Sequence, residues 1–166
     1  MAVGSRTATV TLPTDEQILI TREFDAPRHL VFRAWTEPDL VRRWWHAKRG
    51  EVTVCEIDLR VGGAYRYAMV ARDGFEVAFH GRFREIVPDE RMVSTEVYEG
   101  VPDGVSEEDA TTVNTATFDE EDGRTRLTLL IEAANRTSRD AIVASGMEDG
   151  LQDALDLAEE VARSLG

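Results

Sequence analysis

The C-terminal part of the chain, residues 138–165, reads SRDAIVASGMEDGLQDALDLAEEVARSL. Its apolar residues recur at helical spacing, which predicts one amphipathic helix with Ser138 as its N-cap. The apolar stripe consists of Val143, Met147, Leu151, Ala154, Leu155, Ala158, Val161, Ala162 and Leu165. A helix from Ser138 to Leu165 is long enough to cross a whole sheet, so we expect a sheet as its partner.

Two glycines interrupt this stretch four residues apart. Gly146 and Gly150 each cost up to ~1 kcal/mol of helix propensity relative to alanine. Two interpretations stay open: either the backbone or a ligand nearby needs the room, or the glycines mark a weak or late-starting first turn.

Six segments before this helix have the composition and length of strands. They are Glu51–Leu59, Ala64–Ala71, Phe75–Val87, Arg91–Tyr98, Thr111–Phe118 and Arg124–Ala133. Turn-forming pairs such as Gly62-Gly63 and Asp122-Gly123 separate neighbouring segments, which predicts consecutive antiparallel hairpins. In the first segment the apolar phase slips between Val54 and Ile57, as a β-bulge in a bent sheet would require.

The region in front of these strands predicts one more strand and two short helices. Gln17–Phe24 largely alternates apolar and polar residues, as a half-buried strand does. Pro27 suits the first turn of a helix, and Thr36 is placed to cap a second helix that has Pro38 in its first turn. The result is an α+β fold in which a seven-stranded curved antiparallel sheet, with two short helices after strand one, wraps around a long C-terminal helix.

Length and charge limit the classes of function. The 166 residues fit one domain, which we place at residues 17–166 after a flexible N-terminal segment, residues 1–16. The net charge of -13 disfavours nucleic acids and anionic membranes as partners. Cys55 is the sole cysteine, and residues 1–16 lack the apolar core of a signal peptide, so we expect a soluble cytoplasmic protein.

The sequence contains no catalytic or metal-binding motif, so we expect no catalytic residue, no metal and no cofactor. His29, His46 and His80 are scattered, and none has a second ligand at metal spacing. His80 lies within a predicted strand. Facing the interior beside Glu96 or Glu132, it would act as an acid or base; facing solvent, it would have no such role.

Aromatic side chains are the better guide to a site. Tyr65 and Tyr67 share one face of their strand, and Phe79 lies on one face of the next. The predicted ligand-binding residues are Trp44, Tyr65, Tyr67, Phe79, Met147 and Leu151. They either line a partly empty pocket between the sheet and the long helix or form an ordinary solid core.

Several of these segments resemble a known family. The motifs are ITREFDAP (residues 20–27), VFRAWT (31–36), Trp44-Trp45, Asp58-Leu59-Arg60 with Gly62-Gly63, Gly81 with Glu85-Ile86, and SGMEDG (145–150). Together they resemble the heat-shock-protein-90 ATPase activator homologue-like family of the START-like (SRPBCC) superfamily, from about Ile18 to the C-terminus. The sequence departs from many relatives at Leu151, where Trp is common, and at residues 46–48, where Gly-Pro is common.

The resemblance implies a helix-grip (START-like) fold with a cavity that takes lipids, polyketides or other apolar molecules. It does not imply a cochaperone, because the eukaryotic activators carry a separate chaperone-contacting domain that the first sixteen residues cannot supply. Our leading hypothesis is binding or sequestration of a small hydrophobic ligand. The alternatives are an enzyme of the polyketide cyclase or dehydratase type, and a stress-related or chaperone-related interaction protein. A homodimer stays open in each case.

Overall fold

The computed structural model describes residues 7–45, 49–100 and 103–166. Its helices and strands are, in chain order, β1 (Thr9–Thr11), β2 (Gln17–Phe24), α1 (Arg28–Thr36), α2 (Pro38–Val41), β3 (Gly50–Ile57), β4 (Ala64–Ala71), β5 (Glu76–Val87), β6 (Arg91–Tyr98), α3 (Glu107–Ala110), β7 (Thr111–Glu121), β8 (Arg124–Glu132), α4 (Arg136–Ala144) and α5 (Met147–Ser164). This is the predicted α+β architecture, and the predicted strand segments match β2 to β8 to within a few residues at each end.

The strands form one antiparallel sheet of eight strands, in the order β1-β2-β8-β7-β6-β5-β4-β3. The prediction of seven strands was one short. The additional strand is β1, which pairs with β2 from Thr9 opposite Thr21 and lies in the segment that we expected to be flexible. Three residues are too few to display the alternation by which a strand is recognised in a sequence.

The sheet bends at two irregularities in its ladders. The register shifts between Val52 and Val54 in β3 and between Phe83 and Glu85 in β5. The bulge predicted between Val54 and Ile57 therefore lies slightly earlier in the same strand. Such bulges increase local twist and let a sheet curl around a helix.

The C-terminal region forms two helices, which corrects the prediction of one helix from Ser138 to Leu165. Gly146 has a φ of 80° and separates α4 from α5. A left-handed residue ends the α-helical path, and glycine adopts it without steric cost. The N-cap of α4 is Asn135 rather than Ser138, because the Asn135 side chain accepts a hydrogen bond from the Ser138 backbone N–H at 2.8 Å.

The two short helices follow β2 as predicted, but Thr36 does not cap the second one. The Thr36 hydroxyl donates to the Phe32 carbonyl oxygen at 2.8 Å, so Thr36 belongs to the last turn of α1. Glu37 is the N-cap of α2, without a side-chain capping bond, and Pro38 occupies the first turn. In the described part of the chain, no helix combines the length and the apolar character that crossing a membrane requires.

A buried ion pair joins α5 to the sheet. Arg22 of β2 is 2% exposed, and its guanidinium donates to Asp156 at 2.8 Å and to Glu159 at 3.1 Å. Glu159 also accepts from the Asp25 backbone N–H at 2.6 Å. A paired and hydrogen-bonded buried charge fixes one orientation of the helix, because any shift would leave a charge unpaired.

Candidate functional site: a recess on the concave face

The face of the sheet that meets the helices, which we call the concave face, has two halves of different burial. Side chains of β2, β7 and β8 beside α1 and α5 are sealed: Ile18, Ile20, Phe24, Phe118 and Leu127 are each 0% exposed. Further along the same face, side chains from β4 to β8 stay partly exposed. They are Tyr67, Phe79, Ser94, Glu96, Tyr98, Asn114, Leu129 and Ile131. We call the space that they and Trp45 border the recess.

The ladder register places these side chains together. Residues opposite each other in an antiparallel pair point to the same face. Tyr67 lies opposite Phe79, and Phe79 lies opposite Tyr98. On the far side, Asn114 lies opposite Ile131. The side chains that border the recess therefore form a continuous row across the sheet from β4 to β8.

Aromatic rings form one wall of the recess. The ring centroid of Trp45 lies 5.4 Å from that of Tyr67 and 5.9 Å from that of Phe79. Phe79 in turn lies 5.1 Å from Tyr98, and Tyr67 lies 5.2 Å from Tyr65. These separations are those of favourable aromatic pairs, so the wall is held by its own packing.

Tyr65 forms the buried end of this wall. Its hydroxyl donates to the Thr95 carbonyl oxygen at 2.5 Å, and burial raises the pKa of the phenol. Gly81 lies opposite Tyr65 in the ladder, and a Cβ there would clash with the Thr95 carbonyl oxygen and lie 2.7 Å from the Tyr65 Oη. Glycine at this position is therefore what lets the Tyr65 hydroxyl cross to β6.

Polar groups form the opposite wall. Glu96 lies opposite Thr112, and the Asn114 side chain donates a hydrogen bond to it. The Thr112 hydroxyl donates to Asn114 Oδ1 at 2.9 Å, which turns the amide N–H groups of Asn114 towards Glu96. Burial raises the pKa of Glu96 from 4.5 to about 7, although the hydrogen bond from Asn114 acts in the other direction.

Two further titratable groups border the recess. Burial raises the pKa of Tyr67, and no hydrogen-bond partner for its hydroxyl occurs among the residues that the structure describes. Cys55 lies opposite Tyr67 in β3, and burial raises the pKa of its thiol to about 11. Both groups stay neutral at pH 7, so Cys55 is not an activated nucleophile.

The structure brings together three of the six predicted ligand-binding residues directly. Tyr65, Tyr67 and Phe79 belong to the aromatic wall described above. Met147 and Leu151 lie on the first turns of α5 and are partly buried against the core.

Trp44 lies outside the aromatic wall. Its neighbour Trp45 occupies the position in that wall at which we expected Trp44. The Trp44 indole N–H donates to the Ala34 carbonyl oxygen at 2.8 Å, and its ring lies 4.5 Å from that of Trp35. Trp44 is therefore part of the packing between α1 and α2.

His80 lies on the convex face. It is opposite Arg66 in the ladder, and its Nδ1 lies 2.9 Å from Glu99, which also forms two hydrogen bonds of 2.9 Å with Arg66. The hydrogen bonds from Arg66 are the main cause that lowers the pKa of Glu99 to about 2. Glu132 hydrogen-bonds Gln17 outside the recess. The acid or base role that we weighed for His80 inside a cavity is therefore ruled out by its position.

The described ranges contain no cluster of three His, Cys, Asp or Glu side chains that would hold a metal ion. His46 belongs to residues 46–48, which lie outside the described residues.

Comparison with known proteins agrees with this geometry. A sheet of this topology wrapped around a C-terminal helix is the helix-grip fold of START-like proteins. The model of the family described as "Activator of Hsp90 ATPase homolog 1-like protein" matches residues 25–162, so the chain belongs to that family. No curated protein matches the chain.

Solved structures share the fold over nearly the whole chain. A protein from Rhodobacter sphaeroides is similar with a TM-score of 0.84 and 23% identity, covering 95% of this chain and 99% of its own. One from Mycobacterium smegmatis has a TM-score of 0.81 and 23% identity, covering 93% and 96%. One from Chromobacterium violaceum has a TM-score of 0.72 and 27% identity, covering 90% and 98%.

Proposed function

We propose that this protein binds a small, mainly apolar molecule in the recess. The observation that carries the proposal is the contrast within one face of the sheet. Ile18, Phe24 and Leu127 are sealed, whereas Tyr67 and Phe79 on the same face keep part of their surface accessible. Protein interiors are normally close-packed, so a face that stays accessible beside a sealed core has room for an occupant.

The lining has the composition of a small-molecule site. Aromatic and aliphatic side chains supply apolar surface, while Glu96, Asn114 and the Tyr67 hydroxyl supply a few polar anchors. Burying about 300 Å² of apolar ligand surface contributes roughly 7 kcal/mol at ~25 cal/mol per Å², before the entropic cost of association. Micromolar affinity for a small apolar molecule is the expected scale.

Titration with the neutral dye Nile red tests this proposal. We expect saturable fluorescence enhancement and a rise in melting temperature as the dye binds the native state. Tyr67→Trp should weaken binding at least about fivefold by filling the recess while preserving the fold, whereas in a solid core it would overpack and cost about 1 to 3 kcal/mol.

Arg66→Trp is the matched control, because residue 66 is the neighbour of Tyr67 on the convex face. It should leave dye binding unchanged. Absence of saturable binding to the parent protein, together with strong destabilisation by Tyr67→Trp, would mean that the concave face is a filled core.

A second function, proton transfer in the recess, is favoured by Glu96. A carboxyl group with a pKa of about 7 is half ionised near neutral pH, which suits a general acid or base. This supports the cyclase or dehydratase hypothesis, for which no interior acid or base was evident in the sequence. The probe 5-nitrobenzisoxazole, which opens when a base removes its ring proton, should react faster with the protein, and Glu96→Gln should abolish that acceleration. Equal rates for both proteins would eliminate this function.

A further inference from the structure

The carboxyl group of Glu96 in the recess has no counter-charge within the part of the chain that the structure describes. Among the residues that the structure describes, Glu96 forms no ion pair with a basic side chain, and its hydrogen-bonding neighbour is the neutral Asn114. The titratable groups on the same face that interact with it are Tyr65 and Tyr67 of β4, two strands away in the sheet, with Cys55 of β3 behind Tyr67. All three are neutral at pH 7, so nothing in this set compensates an ionised Glu96.

A carboxylate in such a place favours a cation. An ionised group away from bulk water is costly unless it is paired, and the charge of a bound cation would offset that cost. Glu96 is partly exposed within the recess, so a ligand has access to it. The net charge of -13 also draws small cations towards the protein and repels anions.

The aromatic wall adds a second attraction for a cation. The ring centroid of Trp45 lies 5.4 Å from that of Tyr67 and 5.9 Å from that of Phe79. Phe79 belongs to β5, which pairs with the strand that carries Glu96, and Tyr67 interacts electrostatically with Glu96. Aromatic faces carry negative charge density and attract ammonium groups. Rings of this kind beside a carboxylate suit an ammonium group carried on an apolar body.

We propose that the recess selects molecules that carry a protonated amine on an apolar body, with the ammonium group against Glu96 and the apolar body among Trp45, Tyr67 and Phe79. This inference rests on the proposed function, because it names the chemical class of the ligand that the same recess binds. It assigns to Glu96 the role of determining specificity.

Three probes of nearly equal size test the inference by calorimetric titration: 2-phenylethylamine, 2-phenylethanol and phenylacetate. At pH 8 we expect the amine to bind at least about tenfold more tightly than the alcohol, and phenylacetate to bind most weakly. Glu96→Gln should weaken amine binding about tenfold or more and change alcohol binding less than about twofold. The matched control Glu99→Gln removes a carboxylate on the convex face and should alter neither.

The pH dependence gives an independent readout. Because the amine stays protonated throughout this range, its affinity follows the ionised fraction of Glu96 and should fall roughly tenfold from pH 8 to pH 6. In Glu96→Gln the affinity should not change with pH, and its melting temperature shows that the variant is folded.

The outcomes separate this inference from the proposed function. An amine that binds no better than the alcohol, or that binds Glu96→Gln equally well, overturns the amine specificity and leaves apolar binding standing. Failure of all three probes and of Nile red to bind would overturn both. Amine binding that depends on Glu96 supports both.

Discussion

The side chain of Gln152 and the backbone of Ala8 form two reciprocal hydrogen bonds across 144 residues of chain. The Ala8 N–H donates to Gln152 Oε1 at 3.0 Å, and Gln152 Nε2 donates to the Ala8 carbonyl oxygen at 2.9 Å. The carboxylate of the next residue of α5, Asp153, lies 3.6 Å from the guanidinium of Arg49, the residue that directly precedes β3. Since β1 and β3 are the two edges of the sheet, adjacent residues of α5 tie both edges to the helix.

Replacing Gln152 should weaken the attachment of α5 to the β1 edge of the sheet. Gln152→Ala leaves the N–H and carbonyl groups of the buried Ala8 without partners, so we expect a loss of about 1 to 2 kcal/mol in the free energy of unfolding. Urea denaturation measures it. Glu160→Ala, at an exposed position of the same helix, is the control and should change stability by less than about 0.5 kcal/mol. Equal effects of both substitutions would show that the pair does not stabilise the fold.

Removing Arg22 should be far more costly. Arg22→Met leaves the buried carboxylate of Glu159 without its cation, so we expect a loss of about 3 to 5 kcal/mol. In the double variant Arg22→Met with Glu159→Gln, no uncompensated charge stays at this position, and at least half of that loss should be recovered. A double variant that is less stable than Arg22→Met would contradict the argument.

The two glycines of the C-terminal region should respond to alanine with opposite signs. Gly146→Ala forces a side chain into a φ of 80° and should cost about 1 to 2 kcal/mol, even though no atom lies within 4 Å of the added Cβ. Gly150 is helical, and its Cβ would meet Arg49 Nε at 3.5 Å, an ordinary contact, so Gly150→Ala should stabilise by up to ~1 kcal/mol. Thermal unfolding of both variants checks this pair, and changes of the same sign would contradict it.

Glu96 should make stability depend on pH. Its pKa is raised from 4.5 to about 7 in the folded protein, so between these values the native state retains a proton that the unfolded chain has released. The effect of Glu96 on the free energy of unfolding is therefore most favourable below about pH 4.5. As the pH rises to about 7, the free energy of unfolding falls by about 3 kcal/mol because of Glu96. Relative to the parent, Glu96→Gln should gain stability over this range and then level off.

This difference between the two proteins isolates Glu96, because both retain the other carboxyl groups. Glu99 has the opposite effect. Because its pKa is lowered to about 2, the stability that its ionised carboxylate contributes is lost as the pH falls into the acid range. A stability difference that stays constant from pH 5 to pH 8 would show that the pKa of Glu96 is not raised in the folded protein.

The fold could be predicted from the sequence because most of its elements have strong periods. β2 alternates between partly and fully buried side chains along its whole length, and the turn pairs separate the hairpins as expected. Conformation at single residues was harder to predict. A helical stripe continues in phase across Gly146, so the periodicity does not reveal that the glycine adopts a left-handed conformation.

The site was predictable only in part, for a related reason. In the middle of β6 the concave face carries Ser94 and Glu96, while Val93 and Val97 lie on the other face, so the two valines point away from the recess. The alternation of apolar and polar residues in this strand therefore does not indicate that a carboxyl group lies on the concave face. Trp44 does face inward, as its spacing with Val41 indicates, but its side chain packs on α1 and not on the recess. The direction of this side chain depends on how α2 packs on α1, which no local sequence pattern specifies.

The central claim, that a ligand occupies the recess beside Trp45, is tested most directly by fluorine NMR of protein labelled with 5-fluorotryptophan. The chain has three tryptophans, and substitution of each by Phe assigns its signal. Trp45 borders the recess, whereas Trp35 and Trp44 pack against each other with ring centroids 4.5 Å apart. Titration with 2-phenylethanol should shift the Trp45 signal saturably and leave the Trp44 signal nearly unchanged. A titration in which no signal shifts, or in which Trp44 shifts as much as Trp45, would contradict the account.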